Sequence, residues 1–524
     1  MLFLISCVIY QSQAQDSLFT SLESFCDDIL YSEACFNYLS PLLDSKKSYD
    51  PQFIYNISVQ TSKNKVSRVL YDFSQDDSKD IILLSPHETC RDFLSLALHN
   101  LNMSVPTDNS VAIVRTRTNF RTWLSAARAD LQTCLDAFEW APDAIRKTIA
   151  VNLERSTQLV TTSLGIITKI DVYMRLHEEP LTRMSLNDRQ TLQNVNQGMQ
   201  PDAVVAADGS GDYLTINEAI NAVPPRNNER FVIYVKKGVY LESVLVGMSK
   251  WNILMYGDGM HKTVVSGSRS NATGSTILQS ATFAVQGFGF MAMDIGFENT
   301  AGPKKGQAVA LFSASDRSVF YRCMMDGYQD TLFANSHRQF YRECDIYGTV
   351  DFIFGDAAMV IQNSNIYLKR GISNTNVITA QGKHIPQSIS GISIHNCCIL
   401  AAENLDGVET FLGRPWKNYS TVVIMESQLG SFINPRGWRA WEGSDPRLGV
   451  PDSILYVEYN NVGVGAVTTK RVHWKGLKVE NTQEYARSYT VGSFLGGDDW
   501  LPSTGVAFEA DLYSFCLNSE AYSF

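Results

Sequence analysis

The spacing of apolar residues changes near residue 200. Before it, they recur every three or four positions: Leu22, Phe25, Cys26 and Ile29; then Phe120, Trp123, Leu124, Ala127, Leu131, Cys134 and Phe138; then Val160, Leu164 and Ile167. That period lines one face of a helix, and several such helices predict a bundle. Beyond it, short runs of Val, Ile, Phe, Tyr and Thr are broken by Gly and other turn residues, which is strand texture. Residues 172–200 are polar, hold Pro180 and show no apolar register, so they read as a linker.

The strand-rich part repeats itself weakly. Phe320-Tyr-Arg-Cys323, Phe340-Tyr-Arg-Glu-Cys344 and Ile361-Gln-Asn-Ser364 align at steps of 21 and 20 residues, and His395-Asn-Cys397 looks like a later copy. A period of this length predicts a solenoid of parallel strands, one coil per repeat, with a β-sandwich as the competing reading. Residues one repeat apart would then stack at about 4.8 Å.

Composition narrows the function classes. With 44% hydrophobic and 19% charged residues the chain has ample core material and is not a disordered protein. A net charge of −10 argues against a nucleic-acid partner, which normally needs a basic face. Leu2–Ile9 is apolar but too short to span a bilayer, and Ser12-Gln13-Ala14 suits a signal-peptide cleavage site, giving a signal at 1–14. No later run has transmembrane length. Sequons stand at Asn56, Asn102, Asn271 and Asn418.

A secreted chain favours disulfides over free thiols. Cys26 and Cys35 lie nine residues apart, about 13 Å along one helix, so the chain must turn between them if they pair. Cys90 and Cys134 would then tie two bundle helices together. The alternative is four buried thiols. No C-x-x-C or H-E-x-x-H occurs, so no metal site is expected.

The repeat carries the candidate chemistry. Gln307 and Gln329 are 22 residues apart, and Asp330 and Asp351 are 21 apart, so all four fall on three successive coils. Two carboxylates at roughly 5 Å cannot both ionise easily, so one tends to keep a proton. One Asp is then suited to nucleophilic attack and the other to acid and base work, with Gln amides available to an oxyanion. Arg414, in Gly413-Arg-Pro-Trp416, supplies a planar fork for a carboxylate, and Phe354 and Trp416 offer apolar faces to sugar rings. From spacing alone these residues fit turns and core equally well. No G-x-S-x-G elbow or phosphate loop competes.

At these residues a family resemblance becomes specific. Residues from about 200 to 505 resemble a plant pectin methylesterase. The match is carried by Gly238-Val-Tyr-Leu-Glu242, Asn299-Thr-Ala-Gly302, Gln307-Ala-Val-Ala-Leu311, Gly327-Tyr-Gln-Asp-Thr-Leu332, Gly348-Thr-Val-Asp-Phe-Ile-Phe-Gly355 and Leu412-Gly-Arg-Pro-Trp416. Residues 17–175 are similar to the pectin methylesterase inhibitor domain, through the four Cys spacings and Thr122-Trp-Leu-Ser-Ala126. The resemblance implies an all-α four-helix bundle at 17–175, a linker at 176–199 and a right-handed parallel β-helix at 200–524.

It also implies an ester hydrolase that removes methyl groups from homogalacturonan, secreted to the cell wall. Asp351 would be the nucleophile, Asp330 the proton donor and then base, Gln307 and Gln329 the oxyanion donors, and Arg414 the partner of Asp351. Gln307, Phe354, Arg414 and Trp416 would meet substrate, as would Ile277, which departs from the residue type usual in the family. No metal or organic cofactor is implied. Methyl-esterified pectin is the implied partner, with separate inhibitor proteins as further ones; nucleic acid and membrane spans are not. The bundle would be autoinhibitory or a folding and secretion aid. Pairings Cys26–Cys35 and Cys90–Cys134 follow. Because the family's usual Cys after Cys344 is Ser364 here, a Cys323–Cys344 bridge is the expected substitute. A retaining glycosidase, a thioesterase of the same fold, or a chain working only as an inhibitor are the alternatives.

Overall fold

A computed structural model describes residues 21–43, 50–75, 81–106, 112–139, 141–177, 200–441 and 449–513. The expected signal at 1–14 lies outside these residues, as does the expected linker beyond His177. The chain divides into two compact units, Met1–Met184 with Pro386–Ile389, and Ser185–Ile385 with Ser390–Phe524.

The first unit is helical. Four long helices, Pro51–Gln75, Ile81–Met103, Ala112–Asp136 and Asp143–His177, follow two short ones, Leu22–Cys26 and Ser32–Leu39. The apolar periodicity becomes the core: Phe120, Leu124, Ala127, Leu131, Val160, Leu164 and Ile167 are all buried. Asp28 and Tyr31 take positive φ between the two short helices. The chain turns there, and Cys26 meets Cys35 in a disulfide with a Cα separation of 5.6 Å. A second disulfide joins Cys90 to Cys134, on neighbouring helices. Inside the unit, Asp171 is fully buried and takes Arg117 Nε and Arg121 Nη1, each at 2.7 Å. Paired burial of this kind is how a helical core tolerates a charge.

The second unit is a right-handed parallel β-helix of three sheets, with eleven, seven and eight strands, every strand pairing parallel to its neighbours in each sheet. The repeat seen in the sequence is the coil. Ser318 pairs with Gln339 and Arg338 with Ala358, which are steps of 21 and 20 residues. Its sharpest feature is a one-residue corner that follows seven strands of the eleven-stranded sheet. Asp294, Arg322, Glu343, Asn363, Asn396, Glu426 and Asn460 all take left-handed φ between 50° and 56° there. Asn tolerates that region readily; Arg and Glu cost about 1 kcal/mol each, offset by stacking and pairing with adjacent coils. One such pair is bidentate: Arg322 reaches Asp294 with Nε and Nη2, both at 2.7 Å. The residue after the corner turns inward. Cys323, Cys344, Ser364, Cys397 and Ser427 fill that rung and are all buried.

The expected Cys323–Cys344 bridge is absent: both are free thiols. In-register stacking brings the Cα atoms to bridging range, but each thiol already has backbone partners. Cys323 Sγ donates toward the carbonyls of Ala292 and Tyr321, and Cys344 Sγ toward those of Phe320 and Arg342. Ser364 completes the rung differently, its Oγ accepting from the Cys344 amide at 3.0 Å. The corner is therefore held by hydrogen bonds to the neighbouring coils.

The interior of the β-helix is one continuous core that includes Phe290, Phe297, Phe320, Tyr341 and Trp438. Aromatic rings stack from coil to coil, Phe320 on Tyr341 at 4.9 Å. Charged pairs are also buried in this unit, among them Arg338, which grips both oxygens of Asp316 at 2.9 and 2.7 Å. Burial alone would push the Asp316 carboxyl up, but the Arg338 guanidinium holds it well below the usual carboxylate range. Its stabilising contribution is thus present above about pH 4 and is lost as pH falls through the lowered value. Replacing Arg338 by Ala removes the main opposing charge and two side-chain hydrogen bonds of an enclosed carboxylate and is expected to cost about 3–5 kcal/mol at pH 7. A urea midpoint unchanged from that of the parent chain would contradict it.

Candidate active site

The seven-stranded sheet sets the site. Strands Leu311–Ser313, Leu332–Ala334, Val350–Gly355, Thr375–Gln381 and Glu409–Gly413 lie side by side in that order. Leu332 pairs with Ile353, a step of 21, so Asp330 and Asp351 take equivalent places on successive coils just before those residues. Neither has ordinary strand geometry. Asp330 has φ +64° and Asp351 has φ +51°, and the pairing register slips between Val350 and Ile353, around Asp351. Bulges of this kind re-aim a side chain and recur beside active sites. The Asp330 amide donates to the Val350 carbonyl at 3.1 Å, tying the two coils together at the pair.

Both carboxylates are enclosed, Asp330 at 3% and Asp351 at 6% exposure, so their partners decide their state. Arg414 Nε and Nη2 reach the two oxygens of Asp351 at 2.9 and 2.5 Å, a fork-to-fork ion pair. The Arg414 amide donates to the Thr379 carbonyl at 2.9 Å, which docks the Arg-bearing turn on the sheet. Gly413 allows that approach: a Cβ there would lie 2.1 Å from Thr379 Oγ1. Asp330 has the opposite environment. Burial pushes its carboxyl well above the usual range, the neighbouring Asp351 charge adds to the rise, and the Gln307 hydrogen bond and Arg414 oppose it. Gln307 Nε2 donates to Asp330 Oδ2 at 2.8 Å. One carboxyl therefore favours its protonated form while the other is locked in an ion pair.

Gln329 precedes Asp330, is half-buried, and its carbonyl accepts from the Ala308 amide at 3.2 Å, beside Gln307 on the previous coil. Phe354 packs edge-on to Trp416 at 6.2 Å and stacks on Phe333 at 4.4 Å. Ile277 is the remaining candidate. It is half-buried in the turn before strand Phe283–Val285, two strands away from Leu332–Ala334. Sequence reasoning missed Trp441. Its ring stacks on Trp416 at 6.5 Å with 27° between planes, and the Arg414 guanidinium carbon lies 4.3 Å from its centroid. Trp441 is 25 residues beyond Trp416 with no repeat or motif linking them, so nothing in the pattern pointed to it. Among the described residues, no three His, Cys, Asp or Glu side chains cluster as a metal-ligand set, and no helix is long and apolar enough to cross a membrane.

Comparison with known proteins places this site in context. The Pectinesterase family matches residues 202–498, and the plant invertase/pectin methylesterase inhibitor family matches residues 20–166. The chain is 41% identical over 507 residues to the probable pectinesterase/pectinesterase inhibitor 46 of Arabidopsis thaliana, covering 94% of this chain and 88% of that one. It is 41% identical over 518 residues to pectinesterase 3 of Phaseolus vulgaris, covering 95% and 88%. Among solved structures, the pectin methylesterase from carrot is 46% identical, with a TM-score of 0.58, covering 60% of this chain and 99% of that one.

Proposed function

Since the chain belongs to the pectinesterase family, with an inhibitor-family domain ahead of the enzyme domain, we propose that it hydrolyses the methyl esters of galacturonate units in pectin to methanol and free carboxylate, after secretion to the cell wall. One observation carries the mechanism: two enclosed carboxyls on adjacent coils have opposite environments, Asp351 in an ion pair with Arg414 and Asp330 biased toward its protonated form. Separated environments assign separate roles to paired carboxyls.

Asp351 attacks the ester carbonyl carbon and forms an acyl-enzyme anhydride. The carbonyl oxygen becomes an oxyanion, which Gln307 and Gln329 amides stabilise. The Gln307 nitrogen has two N–H groups, so it can hold Asp330 with one and meet the oxyanion with the other. As the bond to the methoxy oxygen breaks, Asp330 donates its proton and methanol leaves. Asp330, now a base, takes a proton from water. The resulting hydroxide attacks the acyl carbon, which frees Asp351 and the galacturonate and leaves Asp330 protonated. Phe354 and Trp416 contact the sugar rings, and Ile277 influences preference farther along the chain.

The inhibitor-family domain either inhibits the enzyme domain or assists folding and export. Methanol release from highly methylated pectin by residues 15–524 and by residues 200–524 separates these roles. Activity in the short form alone means an inhibitory domain; equal activity in both means a folding or export aid. Two folded but silent forms refute the esterase reading, and shortened pectin chains would indicate a glycosidase.

A further inference from the structure

Trp441 lies outside every motif, yet it completes the surroundings of Arg414. A guanidinium has two usable surfaces, its donor edge and its flat face. The edge of Arg414 is committed to Asp351 through Nε and Nη2. The face lies against Trp441, with the guanidinium carbon 4.3 Å from the ring centroid. Trp441 is itself stacked on Trp416, which packs against Phe354. A chain of rigid groups therefore runs from the aromatic wall to the carboxylate.

We propose that Trp441 is a positioning residue: its indole fixes the plane of the Arg414 guanidinium and, through it, the orientation of the Asp351 carboxylate. This rests on the esterase reading, in which Asp351 is the nucleophile. Asp351 needs such support because it sits where the strand register slips, with φ +51°, and lacks the regular ladder that orients ordinary strand residues. Arginine is long and flexible, and two parallel hydrogen bonds define an attack direction only if the guanidinium plane is itself held. An aromatic face provides that plane through cation–π attraction and dispersion. A ring that served only to contact sugar would act on KM; a ring that aims the nucleophile acts on kcat.

The test uses the full chain, assayed for methanol release intact and after cleavage within residues 178–199, in whichever form the wild type is active. Trp441→Leu is expected to lower kcat about 10- to 30-fold while KM for pectin stays within about threefold. Trp441→Phe, which keeps an aromatic face, is expected to recover most of the loss. In an Arg414→Lys background, which has no planar fork, Trp441→Leu is expected to change kcat by less than about threefold, because the two residues act as one unit. A rise in KM at unchanged kcat would overturn the inference, as would a full Trp441→Leu loss persisting in the Arg414→Lys background. A wild type silent in both forms would instead remove the esterase reading, and is seen before any variant is made.

Discussion

Asp351→Asn is expected to lower kcat for methanol release by at least about 10⁴-fold, with KM for pectin little changed. The amide keeps the size of the carboxyl and one acceptor for Arg414, but an amide oxygen is too weak a nucleophile to open an ester. Arg414 loses its charged partner, so some destabilisation accompanies the change: its ion pair with Asp351 is largely enclosed. Asp351→Glu separates charge from position. It keeps the negative group but moves it one methylene farther from the strand, and a shift of about 1 Å suffices to cost roughly 10²-fold. Asp351→Asn also removes a like charge beside Asp330, so the Asp330 carboxyl moves down, though not fully, because burial is the larger cause of its rise. Steady-state methanol assays on folded, purified variants check these expectations. More than about 1% of wild-type kcat in Asp351→Asn would mean that Asp351 is not the nucleophile.

Much of this was legible because a β-helix writes its coil length into the sequence. The steps from Cys323 to Cys344 to Ser364 are the coils themselves, each marked by a left-handed corner followed by a small inward residue. The same step brought Asp330 and Asp351 together, since residues one coil apart must be neighbours. What spacing did not show is what depends on departures from the regular coil. The slip around Asp351, which aims its side chain, follows a pairing step that lengthens from 21 residues to 26 or 27, because a longer connection precedes strand Thr375–Gln381. Arg414 and Trp416 arrive from still farther along the chain, so their residue types suggested a role but only the family motif tied them to the Asp pair, and Trp441 had no motif at all. The Cys323–Cys344 expectation failed for a related reason. Coil spacing brings the two thiols together but does not decide whether they oxidise, and both also lie against carbonyls of the corner.

Asp330→Asn is expected to separate activity from stability in one substitution. Without a proton donor the methoxide leaves poorly, and without a base water is not activated, so kcat falls by about 10³-fold or more. The fold responds in the opposite sense. Asp330 has a folded-state carboxyl pushed well above its usual value, by burial first and then by the Asp351 charge. The folded chain therefore binds the Asp330 proton more tightly than the unfolded chain does. Between the unfolded value, about pH 4, and the raised folded value, unfolding releases that proton, so stability falls as pH rises. Asn mimics the neutral carboxyl, and its oxygen still accepts the Gln307 amide bond that Asp330 accepts at 2.8 Å. The variant escapes the penalty. Its Tm is expected to exceed that of the wild type at pH 7 and to converge with it near pH 3. Thermal melts of both proteins across that range decide the matter: equal Tm values at pH 7, or a deficit in the variant, would show that the Asp330 carboxyl is not held protonated by the fold. The acid in this site would then need another source, because a carboxyl that is ionised without penalty at pH 7 has little proton to give to methanol.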